Sequence, residues 1–185
     1  MKFLLTNQET ERLVFRKLEN TDFNTWIELF KDETTSKLLG MSEYKTPEQR
    51  CEKWFEWTFH RYDHNLGGQN IMMLKTSNEI VGQSGLLVRE IDHNFELEIA
   101  YSILPKHRLK GFAFEGAQKC KDFAFENNFH NRLISMIFPD NINSKNVALK
   151  NGMHLSREVI YNNKTMEIFQ IEKDKWEKSQ MAINR

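Results

Sequence analysis

The segment Pro105-Lys106-His107-Arg108-Leu109-Lys110-Gly111-Phe112-Ala113 joins a run of cations to a glycine and a small residue, just where a helical pattern begins. Residues of these types in this order suit the grip of a diphosphate. The first backbone N–H groups of a helix have no partner within it, and the helix dipole adds positive potential there. Gly111 lets an anion come close to the main chain, and Ala113 keeps the first turn low. Lys106, Arg108 and Lys110 supply charge around it. The segment lacks the Gly-Lys-Ser/Thr ending of a P-loop and the Gly-x-Gly-x-x-Gly of a dinucleotide fold. Just upstream, Glu96 and Glu98 share one face of a strictly alternating stretch, with Leu97, Ile99, Tyr101 and Ile103 on the other.

The elements that must position these groups follow from periodicity. Arg12 to Leu18 predicts a first strand, and Thr21-Asp22 a cap for a short helix carrying Trp26, Ile27, Leu29 and Phe30. Thr46-Pro47-Glu48-Gln49 combines a cap, a proline at the first helical position and a capping-box partner. Behind it Cys51, Trp54, Phe55, Thr58, Phe59 and Tyr62 recur at helical spacing, with Trp57 off that stripe. Asn70 to Lys75 and Ile80 to Val88 flank a turn and predict a hairpin. Phe95 to Ile103 is the next strand, and a helix runs from about Phe112 to Asn127. Arg132 to Phe138 reads as a strand covered on both faces. A short helix from Ser144 stops at Gly152, and strands near His154 to Ile160 and Lys164 to Ile171 end the pattern. The order β-α-α-β-β-β-α-β-α-β-β describes a mixed α/β sheet in a single domain, residues 1–185.

Composition narrows the function. Lys+Arg and Asp+Glu balance at 26 each, so no global field favours nucleic acid or a membrane surface. Two cysteines, Cys51 and Cys120, are too few for a disulfide framework and lack metal-ligand spacing, so no metal is expected. The opening Met1 to Leu5 is too short for a signal sequence, which points to the cytoplasm. His107 and His130 read as exposed loop residues, and Arg132 as half of a structural ion pair.

Four ordered motifs carry a family resemblance. Arg108-x-x-Gly111-x-Ala113 resembles the acyl-CoA pyrophosphate motif of the GNAT N-acetyltransferase superfamily. Glu9 to Arg16 resembles the opening of the branch that includes the ribosomal-protein N-terminal acetyltransferases. Glu98-Ile99-Ala100-Tyr101 resembles that branch's Glu-Ile-Gly-Tyr strand, and Asn141-x-x-Ser144 with Lys150-x-Gly152-Met153 its Asn-x-x-Ser…Lys-x-Gly-Phe segment. Ala100 replaces a glycine, and Ser156 stands where that branch often has glutamate, which weakens the case for a ribosomal-protein target.

The resemblance implies acetyl-CoA as co-substrate and an amine acceptor: a protein N-terminus, a polyamine or another small amine. The strands through Ile99–Ile103 and Leu133–Phe138 would splay. Pantetheine would pair with backbone near Ile103 and hydrogen-bond to Asn141, and the amides of Arg108, Leu109, Lys110, Gly111, Phe112 and Ala113 would hold the pyrophosphate. Transfer needs a proton acceptor for the amine and an acid for the leaving thiolate. Glu98 is implied as the base, with Glu96 as runner-up, and Ser144 as the acid unless it merely caps its helix. Glu43, Glu48 and Glu52 would lie on the acceptor side, and a homodimer is open. The rival reading is a non-catalytic acyl-CoA-binding or sensory module with the same fold.

Overall fold

The computed structural model describes residues 2–183. Its strands are β1 (Leu13–Arg16), β2 (Gly67–Leu74), β3 (Ile80–Ile91), β4 (Asn94–Ile103), β5 (Arg132–Ile137), β6 (His154–Tyr161) and β7 (Lys164–Glu172). Its helices are α1 (Phe23–Trp26), α2 (Glu33–Leu38), α3 (Pro47–Asp63), α4 (Phe112–Glu126), α5 (Ile142–Lys150) and α6 (Lys173–Ile183). The strands form one mixed sheet of seven, ordered β1-β2-β3-β4-β5-β7-β6. Neighbours run antiparallel except β4 and β5, which are parallel and joined through α4. Those two register at a single pair, Glu98 with Ile134, and part beyond it, as the splayed strands of the expected fold require.

Alternation along β4 sorts the two sides of the sheet. Leu97 and Ile99 pack with Phe112, Ala117, Cys120 and Phe125 of α4. The other side is covered by α1 to α3, where Trp26, Phe30, Cys51, Phe55 and Ile71 form a second core. Glu98, Ala100 and Ser102 face that second side. The capping box forms as its residues predict, with Gln49 N donating to Thr46 Oγ1 at 3.2 Å and Thr46 N to Gln49 Oε1 at 3.4 Å. Both cysteines are buried free thiols. Burial pushes each up to about 12, which removes them from nucleophilic chemistry.

Two helices lie where the periodicity predicts none. Helix α2 is six residues long and is started by Asp32, whose carboxylate accepts from Thr34 N at 3.0 Å. It is too short to show an apolar period. Helix α6 follows β7 without a breaker and is held by Trp176, whose Nε1 donates to Asp122 Oδ1 at 2.8 Å while its ring packs on Phe125. Among the described residues no helix is long and apolar enough to cross a membrane.

Close approach of β2 and β3 sets the floor beneath the Glu98 side. A Cβ at Gly85 would sit 2.0 Å from the carbonyl oxygen of Gly68, which belongs to backbone and cannot step aside. Gly85→Ala is therefore expected to cost about 3 kcal/mol and lower the melting temperature by roughly 6–12 °C. Thermal denaturation followed by circular dichroism checks this; an unchanged midpoint would refute the packing described.

Candidate functional site

At the start of α4 the chain turns through two left-handed residues, Leu109 (φ 61°) and the N-cap Gly111 (φ 85°). No side chain caps this helix. The first bond that closes it runs from Glu115 N to Gly111 O at 3.0 Å. The amides of Leu109 through Phe114 thus have no hydrogen-bond acceptor among the described residues. Leu109 is also 96 % exposed, so no packing offsets its unfavourable backbone, which costs on the order of 1–3 kcal/mol. A strained turn with successive open N–H groups is a concave anion seat.

Side chains around the turn behave differently from the sequence-based expectation. Arg108 leans away. Its Nη1 donates to Asp32 Oδ2 (3.0 Å), its Nη2 to Thr35 Oγ1 (2.6 Å) and its Nε to Ile103 O (3.3 Å). Thr35 and then Arg108 hold the Asp32 carboxyl down at about 2. The guanidinium ties the turn to α2 rather than facing the open amides. Lys106 pairs with Glu79 at 2.5 Å, leaving Lys110 without an ion pair among the described residues. Arg12, to which the sequence reading assigns no role, lies beside the turn. Its Nε donates to Glu115 Oε2 at 2.7 Å, its Nη1 to Lys110 O at 3.1 Å, and it stacks 4.5 Å over Phe112. His107 is buried, not exposed as expected, and desolvation lowers its pKa.

From this turn a gap leads between β4 and β5. Leu104 N donates to Val81 O at 3.0 Å, so the alternating ladder directs Leu104 and Ser102 to β3, and Ile103 and Tyr101 to the gap. Ile99 O, on the same edge, accepts from Ser135 Oγ at 2.8 Å, which bridges the strands where they begin to part. Tyr101 and Ile103 lie beyond that bridge, with backbone available for an extended chain; Ile103 O is already touched by Arg108.

The gap opens into a cavity of about 880 Å³ whose lining includes Glu98, Tyr101, Asn141 and Ser144. Glu98 is 5 % exposed. Its Oε2 accepts from Arg89 Nε at 2.6 Å and its Oε1 from Met136 N at 3.4 Å across the splay. Glu96 lies elsewhere. It forms a two-point pair with Arg132, as expected for that arginine, and takes no part in the cavity lining. Helix α5 begins at Ile142, and Asn141 is its cap, accepting from Ser144 N at 3.1 Å. Ser144 is therefore three residues inside the helix, and its hydroxyl has no partner among the described residues. The phenol of Tyr101 donates to Ser144 O at 2.9 Å and fixes that turn against β4. Of the early acidic residues, Glu43 reaches the cavity rim; Glu48 and Glu52 do not.

The sequence matches the acetyltransferase (GNAT) domain family over residues 12–154, a span holding the open amides and Glu98, Asn141 and Ser144 of the cavity. The chain belongs to that family. A relative, the uncharacterized N-acetyltransferase YoaA of Bacillus subtilis (strain 168), is 25 % identical over 160 residues, covering 85 % of this chain and 89 % of YoaA. The fold is similar to an acetyltransferase from Agrobacterium tumefaciens str. C58, with a TM-score of 0.73, 23 % identity and coverage of 89 % and 92 % of the two chains. It is also similar to a spermidine N-acetyltransferase from Vibrio cholerae, solved with CoA and spermine. There the TM-score is 0.70 and identity 15 %, over 90 % and 99 % of the chains. The chain is thus a GNAT acetyltransferase, of a family whose co-substrate is acetyl-CoA. The residues present fit that co-substrate: open amides for the diphosphate, then a gap edged by free strand backbone. Among the described residues no group of three metal-ligating side chains gathers.

Two cavity groups escaped sequence reasoning, Arg61 of α3 and Arg89 of β3. Neither belongs to a motif, and Arg89 reaches Glu98 diagonally from a register that sets it opposite Glu96. Trp57, off the stripe of α3, does line the cavity and meets Tyr44 edge-on at 6.2 Å.

Proposed function

We propose that this chain moves the acetyl group of acetyl-CoA directly onto a primary amine, with the whole chain acting as one cytoplasmic acetyltransferase domain. The observation that carries this reading is the continuity of three features: open amides at Leu109–Phe114, the β4–β5 gap, and a cavity with Glu98 and Ser144 in its wall. Acetyl-CoA supplies the activated thioester carbonyl. The amides of Leu109 to Phe114 bind its diphosphate, with Lys110 adding positive potential. Arg108 acts through position, locking the turn to α2. The backbone of Tyr101 and Ile103 and the side-chain amide of Asn141 orient the pantetheine arm.

Glu98, paired with Arg89, presents a carboxylate that takes the proton from the incoming amine, directly or through a water. Ser144 Oγ, uncommitted to any cap, donates a proton to the departing sulfur and is reprotonated from solvent, while Glu98 returns the amine's proton to water. Burial, against hydrogen bonding to Ser144, raises the pKa of Tyr101 well above the usual phenol range, so this residue acts as a neutral strut for α5. The acceptor side is the cavity under α3, walled by Trp54 and Trp57.

Release of free thiol from acetyl-CoA across a panel of amines tests the proposal. Amine-dependent release is expected. CoA that raises the melting temperature while no amine accelerates thiol release would instead establish the non-catalytic acyl-CoA-binding reading.

A further inference from the structure

The cavity wall carries more positive than negative charge. Arg61, Arg89 and Lys164 line it, against Glu98 and Glu43, and Glu43 is exposed at the rim. Glu98 is committed to Arg89 at 2.6 Å. Arg61 has no carboxylate partner among the described residues. Its Nη1 donates to Leu66 O (2.9 Å) and Val88 O (3.3 Å), two main-chain carbonyls that fix the guanidinium without neutralising it. Burial first, and the nearby Arg89 second, pull Arg61 down to about 10. A half-buried cation facing another cation is unfavourable unless an anion joins them. The floor of the same cavity holds two further unsatisfied groups, Gln69 Oε1 and Ser102 Oγ, both buried and without a hydrogen-bond partner.

We propose that the acceptor is a small amine that also carries an anionic group, a carboxylate or phosphate, which Arg61 and Arg89 receive while Glu98 faces the amine. This rests on the acetyltransferase reading above and names its substrate class. The guanidinium fork binds either anion at two points, and a second arginine beside it completes the charge balance. Trp54, Trp57 and Leu87 line the same cavity and offer apolar surface to the body of such a molecule. A polyamine fits poorly, because its additional cations would meet Arg61 and Lys164. Arg61 is a specificity-determining residue in this scheme, whereas Arg89 both positions Glu98 and contacts the anion.

The test compares amines with and without an anionic group. With acetyl-CoA saturating, thiol release is measured for 4-aminobutyrate against 4-aminobutanamide, for 2-aminoethyl phosphate against ethanolamine, and for spermidine. At least one anionic member is expected to exceed its neutral partner by about tenfold or more in kcat/KM, the effect of one charge-assisted contact. Whether the carboxylate or the phosphate pair shows the larger ratio identifies the anion. Arg61→Gln is expected to bring that ratio to near one, through KM, and Arg61→Lys to restore part of it. Equal rates within both pairs, or spermidine as the best acceptor, overturns the proposal while leaving an acetyltransferase. The wild-type comparison stands even if Arg61→Gln does not fold. Absence of thiol release with every amine, together with no CoA-induced rise in melting temperature, removes the acetyltransferase reading and this inference with it.

Discussion

Glu98→Gln is expected to lower acetyl transfer at saturating substrates by about 100- to 10,000-fold, the range for losing a positioned general base. Glutamine preserves shape, but only its carbonyl oxygen accepts, so it keeps the bond from Arg89 Nε or from Met136 N and turns its NH2 toward the other. What it loses is the capacity to take a proton. Residual turnover should rise steeply with pH, since only amine already deprotonated in solution can then react. The substitution also leaves Arg89 without its anion. Its side chain is 22 % exposed, so water compensates in part, and a stability loss of about 1–2 kcal/mol is expected. That loss separates from catalysis by measuring kcat on folded protein and, independently, the CoA-induced rise in melting temperature, which should match wild type. A variant with wild-type kcat would remove Glu98 from the mechanism. Glu96 is no substitute candidate, because Arg132 engages it at two points outside the cavity.

The second large effect lies at the turn before α4. In the wild type, CoA at a hundredfold excess over its dissociation constant should add about 2.7 kcal/mol, raising the melting temperature by roughly 5–10 °C for a chain of this size. Gly111→Val should abolish most of that rise. Valine is strained at φ 85°, and its Cβ would come within 3.3 Å of Arg12 Nη2, so the turn must change shape. Once it changes, the open amides from Leu109 to Phe114 no longer converge on one anion. The left-handed strain alone costs about 1–2 kcal/mol, which lowers the melting temperature of the free protein as well. The readout is therefore the difference with and without CoA, which a shifted baseline does not obscure. An undiminished difference would place the diphosphate elsewhere.

These two positions also mark how far local pattern reached. The open turn was legible because its signals are short-range: cations, a glycine and a small residue within a few positions of a helix start. The same holds for the capping box at Thr46 and Gln49, and for the alternation that put Glu96 and Glu98 on one face of β4. The resemblance to the GNAT family rested on such segments, and the match over residues 12–154 agrees with it. Pattern was silent about α2 and α6, whose supports are a single cap in one case and the contacts of Trp176 with α4 in the other. It also misjudged Ser144 as the start of α5, because Asn141 and Ser144 are both good caps and spacing alone cannot rank them.

By itself, then, the chain's order of residues determined the succession of elements, the location of an anion-binding turn and the chemical class of reaction. Each depends on interactions between near neighbours. Partner choice among charged groups was decided only in three dimensions. Glu98 meets Arg89, Glu96 meets Arg132, and Arg108 meets Asp32 across 9, 36 and 76 residues. Pairs that distant are set by strand register and by which helix covers which face, and no local period encodes them. The unneutralised arginine of the cavity wall has the same origin: Arg61 comes from a helix, Arg89 from a strand, and only the packing of α3 on the sheet puts them together.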